Sequence, residues 1–132
     1  MTRFLLVAIG GGLGAMARYG LGLAVGRLAP GAAWPWATLT ANVAGGLLMG
    51  LLVGWLALRV GAGQESIRLF AAVGVLGGFT TFSAFSLEAA LMIERREIVS
   101  AFVYATGSVV LAIAALFVGL MIARKLFTGV GA

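Results

Sequence analysis

Charged residues interrupt this sequence so rarely that the apolar runs between them define its elements. Four such runs stand out: Phe4 to Leu28, Trp34 to Leu58, Leu69 to Ile93 and Ile98 to Ala123. Each exceeds the roughly 20 apolar residues that a helix needs to cross a bilayer. They predict four transmembrane helices in one integral membrane domain covering residues 1–132. The connections are short: 29–33 with Pro30 and Gly31, 59–68 with its charges, and the cluster Glu94, Arg95, Arg96, Glu97. Arg3 ahead of the first run suggests a signal peptide, but the run outlasts the roughly 7–15 residues of an apolar signal core and shows no cleavage site. The first span is therefore expected to persist in the mature protein.

Composition agrees. The chain of 132 residues is 62% hydrophobic and 10% charged, with 21 glycines and a mean hydropathy of +1.13. Soluble domains carry about 25% charged residues and about 7% glycine. With no cysteine and no histidine, disulfides, thiolate or imidazole zinc sites, haem ligands and imidazole acid–base groups are excluded. This argues against an enzyme. A net charge of +5 comes from scattered residues rather than a basic cluster, which points to lipid headgroups and not to nucleic acid.

Glycines recur four apart: Gly10 and Gly14, Gly22 and Gly26, Gly46, Gly50 and Gly54, Gly74 and Gly78. Small residues at this spacing let membrane helices approach closely, and part of that packing is expected between subunits. Gly10, Gly12 and Ala15 also fit a dinucleotide-binding pattern, but that pattern needs a preceding strand, which a membrane helix does not supply.

The cationic residues barely set an orientation. Arg3, Arg59, Arg68, Arg124 and Lys125 fall on one side of a four-span layout, and Arg27, Arg95 and Arg96 on the other, with Arg18 narrowing the difference further. Two readings stand side by side: a weak positive-inside bias, or insertion in both orientations to give an antiparallel homodimer.

Polar groups inside spans are costly and mark candidate sites. Thr38 and Asn42 share one face of the second run, as do Tyr104 and Ser108 of the fourth. In the third run Gly77, Gly78, Thr80, Thr81, Ser83 and Ser86 interleave with Phe79, Phe82 and Phe85. Hydroxyl and amide donors with the positive edges of aromatic rings can replace the hydration shell of a small anion without trapping it. A hydroxyl bonding back one turn along its own helix is the plainer reading of any single serine or threonine. Gly77 to Thr81 also favours a local break in the helix. Its carbonyls are then either met by neighbouring hydroxyls or, at a twofold axis, gathered into an oxygen cage for a cation. Arg18 and Glu88 lie deepest among the ionisable groups. They can pair together, pair across a dimer or reach toward the interface, and Glu88 can accept from nearby threonine and serine hydroxyls.

The segments GGFTTFSAFSLE (Gly77 to Glu88), GGGLGAMAR (Gly10 to Arg18) and WPWATLTANVAGG (Trp34 to Gly46) resemble the Fluc (CrcB) family of bacterial fluoride channels, and the likeness covers essentially the whole chain. It implies a dual-topology, antiparallel homodimer in the bacterial inner membrane, with two pores and a structural, untransported sodium ion. The sodium would be held by the backbone carbonyls of Gly77 and Thr80. The implied fluoride pathway runs along the ring edges of Phe82 and Phe85 and the amide of Asn42, with Thr38, Thr81, Ser83, Glu88, Tyr104 and Ser108 as further polar groups. Arg18 matches the family's vestibule arginine. The implied activity is passive, ATP-independent fluoride export that lowers cytoplasmic fluoride. Ala84 departs from the family's TTFSTFS pattern, so no role is carried to that position. Rival classes are a small multidrug-type four-helix exporter, whose proton-coupling glutamate has no counterpart in Phe4 to Leu28, and a non-transporting assembly subunit.

Overall fold

The computed structural model of the chain describes residues 1–59 and 63–128, so the middle of the second connection, residues 60–62, lies outside the described residues. All regular structure among the described residues is helical: α1 (Thr2–Leu28), α2 (Trp36–Ala57), α3 (Gln64–Ile67), a π-helical stretch (Arg68–Leu76), α4 (Gly77–Phe79), α5 (Phe82–Glu94) and α6 (Ile98–Thr128). Segments Thr2–Leu28, Trp36–Ala57, Gln64–Glu94 and Ile98–Phe127 are each long and apolar enough to span a bilayer.

The boundaries differ from the charge-bounded runs in an instructive way. The third span begins at Gln64, five residues before Leu69, and carries Glu65 and Arg68 inside its helix. Those two side chains neutralise each other one turn apart, Arg68 Nε to Glu65 Oε2 at 3.1 Å. α6 continues past Ala123 through Arg124 and Lys125. Charges end an apolar run but not a helix, whose backbone bonds are indifferent to the solvent the side chains reach. Trp34 and Pro35 belong to the turn before α2, where Pro35 (φ −81°, ψ 62°) is the centre of an inverse γ-turn closed by Trp36 N–H to Trp34 C=O, 2.9 Å.

Two helix pairs organise the chain. α1 lies along the π-helical stretch and α4, whereas α2 lies along α6. Glycines set both contacts. A Cβ at Gly14 would collide with the Val75 carbonyl oxygen, and one at Gly50 with that of Leu116. Gly22 and Gly26 meet nothing among the described residues, so the small-residue packing within the chain holds for three of the four glycine groups.

The third span passes between the pairs. Its first half packs on α1, and α5 packs on α6. The changeover happens at a break where Thr80 (φ −80°, ψ 157°) and Thr81 (φ −151°, ψ 125°) are extended. The expected segment was Gly77 to Thr81, but the glycines stay helical, Gly77 at φ −63° and ψ −38°. β-Branched threonines favour the extended region, and here they are the residues that leave the helix. The π-helical stretch before the break was not anticipated; nothing in the sequence signals it.

α5 ends in a Schellman turn, with Arg96 N–H to Ile93 C=O and Glu97 N–H to Met92 C=O, both 2.9 Å. Arg96 occupies the left-handed position at φ 63°, usually filled by glycine. This turn sets α5 against α6, where Met92, Ala101 and Tyr104 form the buried cluster flanked by Trp34, Leu39, Phe85 and Ala89. Elsewhere the apolar surface faces outward: only 11% of the most apolar stretch of α1 is buried within the chain.

Overpacking a close helix contact costs about 1–3 kcal/mol, so Gly14→Ala and Gly50→Ala are each expected to lower the unfolding midpoint of the purified protein in detergent. Arg96→Gly relieves a left-handed conformation worth about 1 kcal/mol and is expected to raise it.

Candidate functional site

The break in the third span is held from α2. Asn42 grips Thr81 on both sides of its backbone: Asn42 Nδ2 donates to the Thr81 carbonyl at 3.0 Å, and the Thr81 amide donates to Asn42 Oδ1 at 2.8 Å. The Thr81 hydroxyl accepts from the Ala84 amide at 3.2 Å, capping α5, and lies 3.3 Å from Ser83 Oγ. On the other side Thr80 closes α4, its amide and hydroxyl both donating to the Leu76 carbonyl at 3.0 and 2.9 Å.

These bonds redirect the helix's own donors. In an unbroken helix the Gly77 carbonyl would accept from the Thr81 amide, and the Thr80 carbonyl from the Ala84 amide. Both amides are instead bound by side-chain oxygens, those of Asn42 and Thr81. The Gly78 carbonyl, between them, accepts from Arg18 Nε at 3.3 Å. Gly77 and Thr80 therefore keep carbonyls released from the helical ladder, and Gly77 is exposed.

A second cluster lies further along α5. Glu88 accepts from the Thr38 hydroxyl at 2.6 Å and from the Tyr104 hydroxyl at 2.7 Å, one on each carboxylate oxygen. Such charge-assisted bonds are about twice as strong as neutral ones. The Phe85 ring joins this cluster to the break, 5.5 Å from Phe82 and 5.3 Å from Tyr104 between ring centres.

Beside the break, between α2 and α6, runs an open groove of about 360 Å³. Asn42, Thr80, Thr81, Phe82, Phe85 and Ser108 line its polar and aromatic side, and aliphatic residues of α2 and α6 its floor. Phe82 stands 77% exposed beside it. Ser108 is 4% exposed and its Oγ meets no partner at bonding geometry, although the Tyr104 hydroxyl one turn earlier is near enough to influence it. The N-terminus of α5 opens on the same groove, and the first amides of any helix lack intrahelical acceptors. Among the described residues no cluster of acidic side chains suited to a metal ion occurs.

The sequence-derived candidates thus separate into three places. Asn42, Thr80, Thr81, Phe82, Phe85 and Ser108 meet at the groove; Thr38, Glu88 and Tyr104 form the partly buried cluster; Arg18 and Gly77 lie at the break. Ser83 is exposed, its hydroxyl beside that of Thr81. Arg18 and Glu88 do not pair, and Glu88 takes hydroxyls from α2 and α6 rather than from its own span. Ser86 bonds back to the Phe82 carbonyl at 2.8 Å, the plain reading of a helical serine. The sequence reading missed Trp34, which meets Tyr104 edge to face at 6.0 Å and Trp36 at 5.6 Å. The Trp34-Pro35-Trp36 run was the available signal, since proline between two aromatics turns one of them back.

Fold and site together define a small multi-pass membrane protein whose polar groups gather at the break of one span. The family described as CrcB-like protein, Camphor Resistance (CrcB), matches residues 5–120. Among curated relatives, a protein of Caulobacter sp. (strain K31) is 59% identical over 128 residues, covering 97% of this chain and 99% of its own length. One of Phenylobacterium zucineum (strain HLK1) is 61% identical over 128 residues, covering 96% and 99%. A third, from Hyphomonas neptunium (strain ATCC 15444), is 54% identical over 127 residues, covering 96% and 99%. All three carry the name Fluoride-specific ion channel FluC. This chain belongs to the CrcB family. The relatives are ion channels rather than enzymes by name, and the four spans set the chain in the cell membrane as a multi-pass protein.

Removing the Asn42 amide strands a partly buried donor and acceptor of Thr81, at about 1–3 kcal/mol for each group left unpaired. Asn42→Ala is expected to lower the unfolding midpoint in detergent clearly. Ser86→Ala, which loses only a bond within its own helix, is expected to leave it near the parent value.

Proposed function

We propose that this chain is a fluoride-specific ion channel that lets fluoride leave the cytoplasm down its own gradient and so lowers fluoride toxicity, acting as an antiparallel homodimer with two pores. The carrying observation is the groove beside the break, which Asn42, Thr81, Phe82, Phe85 and Ser108 line together. Fluoride is compact and tightly hydrated, so a pathway must offer several donors together. Asn42 Nδ2 carries two hydrogens, and its bond to Thr81 leaves one for an anion. No lysine or arginine lines the groove, which suits conduction, because a full cation would hold the anion too long. Beyond Phe85 the Tyr104 and Thr38 hydroxyls continue the track, each donating a hydrogen bond to Glu88 until an anion competes for it. Thr81 and Ser83 contribute hydroxyls at the break. Arg18 spends only its Nε on Gly78, which leaves its other donors for a vestibule.

An open groove in one chain supports a dimer. A second copy would shield Phe82 and face Gly22 and Gly26, which no described residue packs against. The same association fits a structural sodium ion. Hard cations take oxygen ligands, and the Gly77 and Thr80 carbonyls, deprived of their amide donors by Asn42 and Thr81, are of that kind. One chain supplies two of them, so a full oxygen shell needs a partner. The sodium would stabilise the junction without being transported, and antiparallel insertion agrees with the even spread of arginines over the two ends.

Liposomes containing the purified protein are expected to release fluoride rapidly and chloride far more slowly; equal rates, or no fluoride release, would contradict the reading. Phe82→Ile and Phe85→Ile should each slow the release while leaving the dimer intact, and unimpaired release in both would remove the aromatic pathway. Exchange of sodium for N-methylglucamine during purification is expected to weaken the dimer, whereas an unchanged dimer and flux after thorough exchange would reject the ion.

A further inference from the structure

We propose that the cavity beneath the α1–α2 turn is the aqueous mouth through which the pathway meets bulk water at this end of the chain, with Arg95 as its anion-collecting charge and Trp34 as its inner wall. This rests on the reading of the chain as a fluoride channel.

The cavity measures about 190 Å³, enough for several waters, and lies between Ala33, Trp34 and Pro35 of the turn and Glu88 and Met92 of α5 with Arg95, the residue that caps its C-terminus. Glu88 and Arg95 are seven residues apart, two helical turns on one face, or about 10 Å along the axis. The cavity therefore extends from the buried cluster to the surface. At its inner end Glu88 is held from behind by the Thr38 and Tyr104 hydroxyls. Trp34 belongs to both spaces, lining the cavity and meeting Tyr104 edge to face with planes at 82°. An anion that has passed Phe85 and Tyr104 and reached Glu88 stands at the inner end of this cavity.

A carboxylate at the inner end of a mouth repels anions, so a pathway for fluoride needs an offsetting cation nearby. Arg95 is that cation. Its contact with Glu97 uses Nε alone, at 3.2 Å between side chains 53% and 42% exposed, and such surface pairs are worth about 0–1 kcal/mol. Glu94 and Arg96 flank it on the same turn without lining the cavity. A charge at the rim of a cleft with low-dielectric walls raises the local concentration of the opposite ion, and salt suppresses the effect. The turn is built for access: Ala33 is exposed, and the inverse γ-turn at Pro35 fixes Trp34 over the cavity.

The test uses the whole protein in liposomes, with the parent protein alongside. At about 10 mM ionic strength, where screening extends over about 30 Å, Arg95→Gln is expected to lower fluoride efflux by about threefold to tenfold. The deficit should vanish near 1 M salt, and Arg95→Lys should track the parent at both. Because the chain has no cysteine, Ala33→Cys places a single thiol at the rim. An anionic methanethiosulfonate should slow efflux more than a cationic one of similar size, again most at low salt. Parent-like efflux in Arg95→Gln at both ionic strengths, a deficit that ignores salt, or equal efflux after both reagents would overturn the mouth. Failure of the parent to conduct fluoride would instead overturn the channel reading, so the two failures are distinguishable.

Discussion

The pair of hydrogen bonds between Asn42 and the Thr81 backbone is the contact on which the rest of the site depends. A membrane span obeys one rule above others: each backbone donor and acceptor needs a partner, and the α-helix is the default way to supply it. Asn42 offers an amide side chain that copies a backbone unit, one acceptor and one donor, and so satisfies Thr81 outside the helix. Once the Thr81 amide points to α2, the Gly77 carbonyl is released, the Thr81 hydroxyl caps α5, and that cap in turn releases the Thr80 carbonyl. One side chain thereby produces a helix N-terminus facing a groove, a pair of free carbonyls, and a redirected second half of the span.

That redirection links packing to chemistry. Glycine contacts hold the first half of the third span against α1, and the break lets α5 cross to α6, where Phe85, Tyr104 and Glu88 assemble. A straight third helix would stay with α1 and leave the polar residues of α2 and α6 without the span that completes their cluster. The small share of fully buried residues along α1 has the same origin: four helices arranged as two pairs and a crossing segment enclose little, so the groove stays open on one side.

Much of this was legible in the sequence because lipid makes strict demands. Four runs of sufficient length had to be spans, and polar residues four apart, such as Thr38 with Asn42 and Tyr104 with Ser108, had to share faces. The break was legible as a region but not as a pair of residues, since glycine tolerates the helix as well as leaving it, and the threonines decided the outcome through their β-branched preference and through Asn42. Partner choice was not legible. Arg18 could equally have met Glu88, and only the geometry shows it donating to the Gly78 carbonyl. Glu88 receives hydroxyls from two other helices, a fact of packing that no spacing along one helix encodes. Arg96 in the left-handed region and the π-helical stretch lacked any signal in composition or period.

The most direct measurement on the central claim is the backbone conformation of the third span in a lipid bilayer, by solid-state NMR with carbonyl labels at Gly77 and Thr80. Extended torsions at Thr80 and Thr81, with carbonyl shifts of Gly77 and Thr80 that move when sodium replaces N-methylglucamine, are the predicted result. Helical torsions at both threonines, or carbonyl shifts indifferent to sodium, would contradict a break held open to present those oxygens.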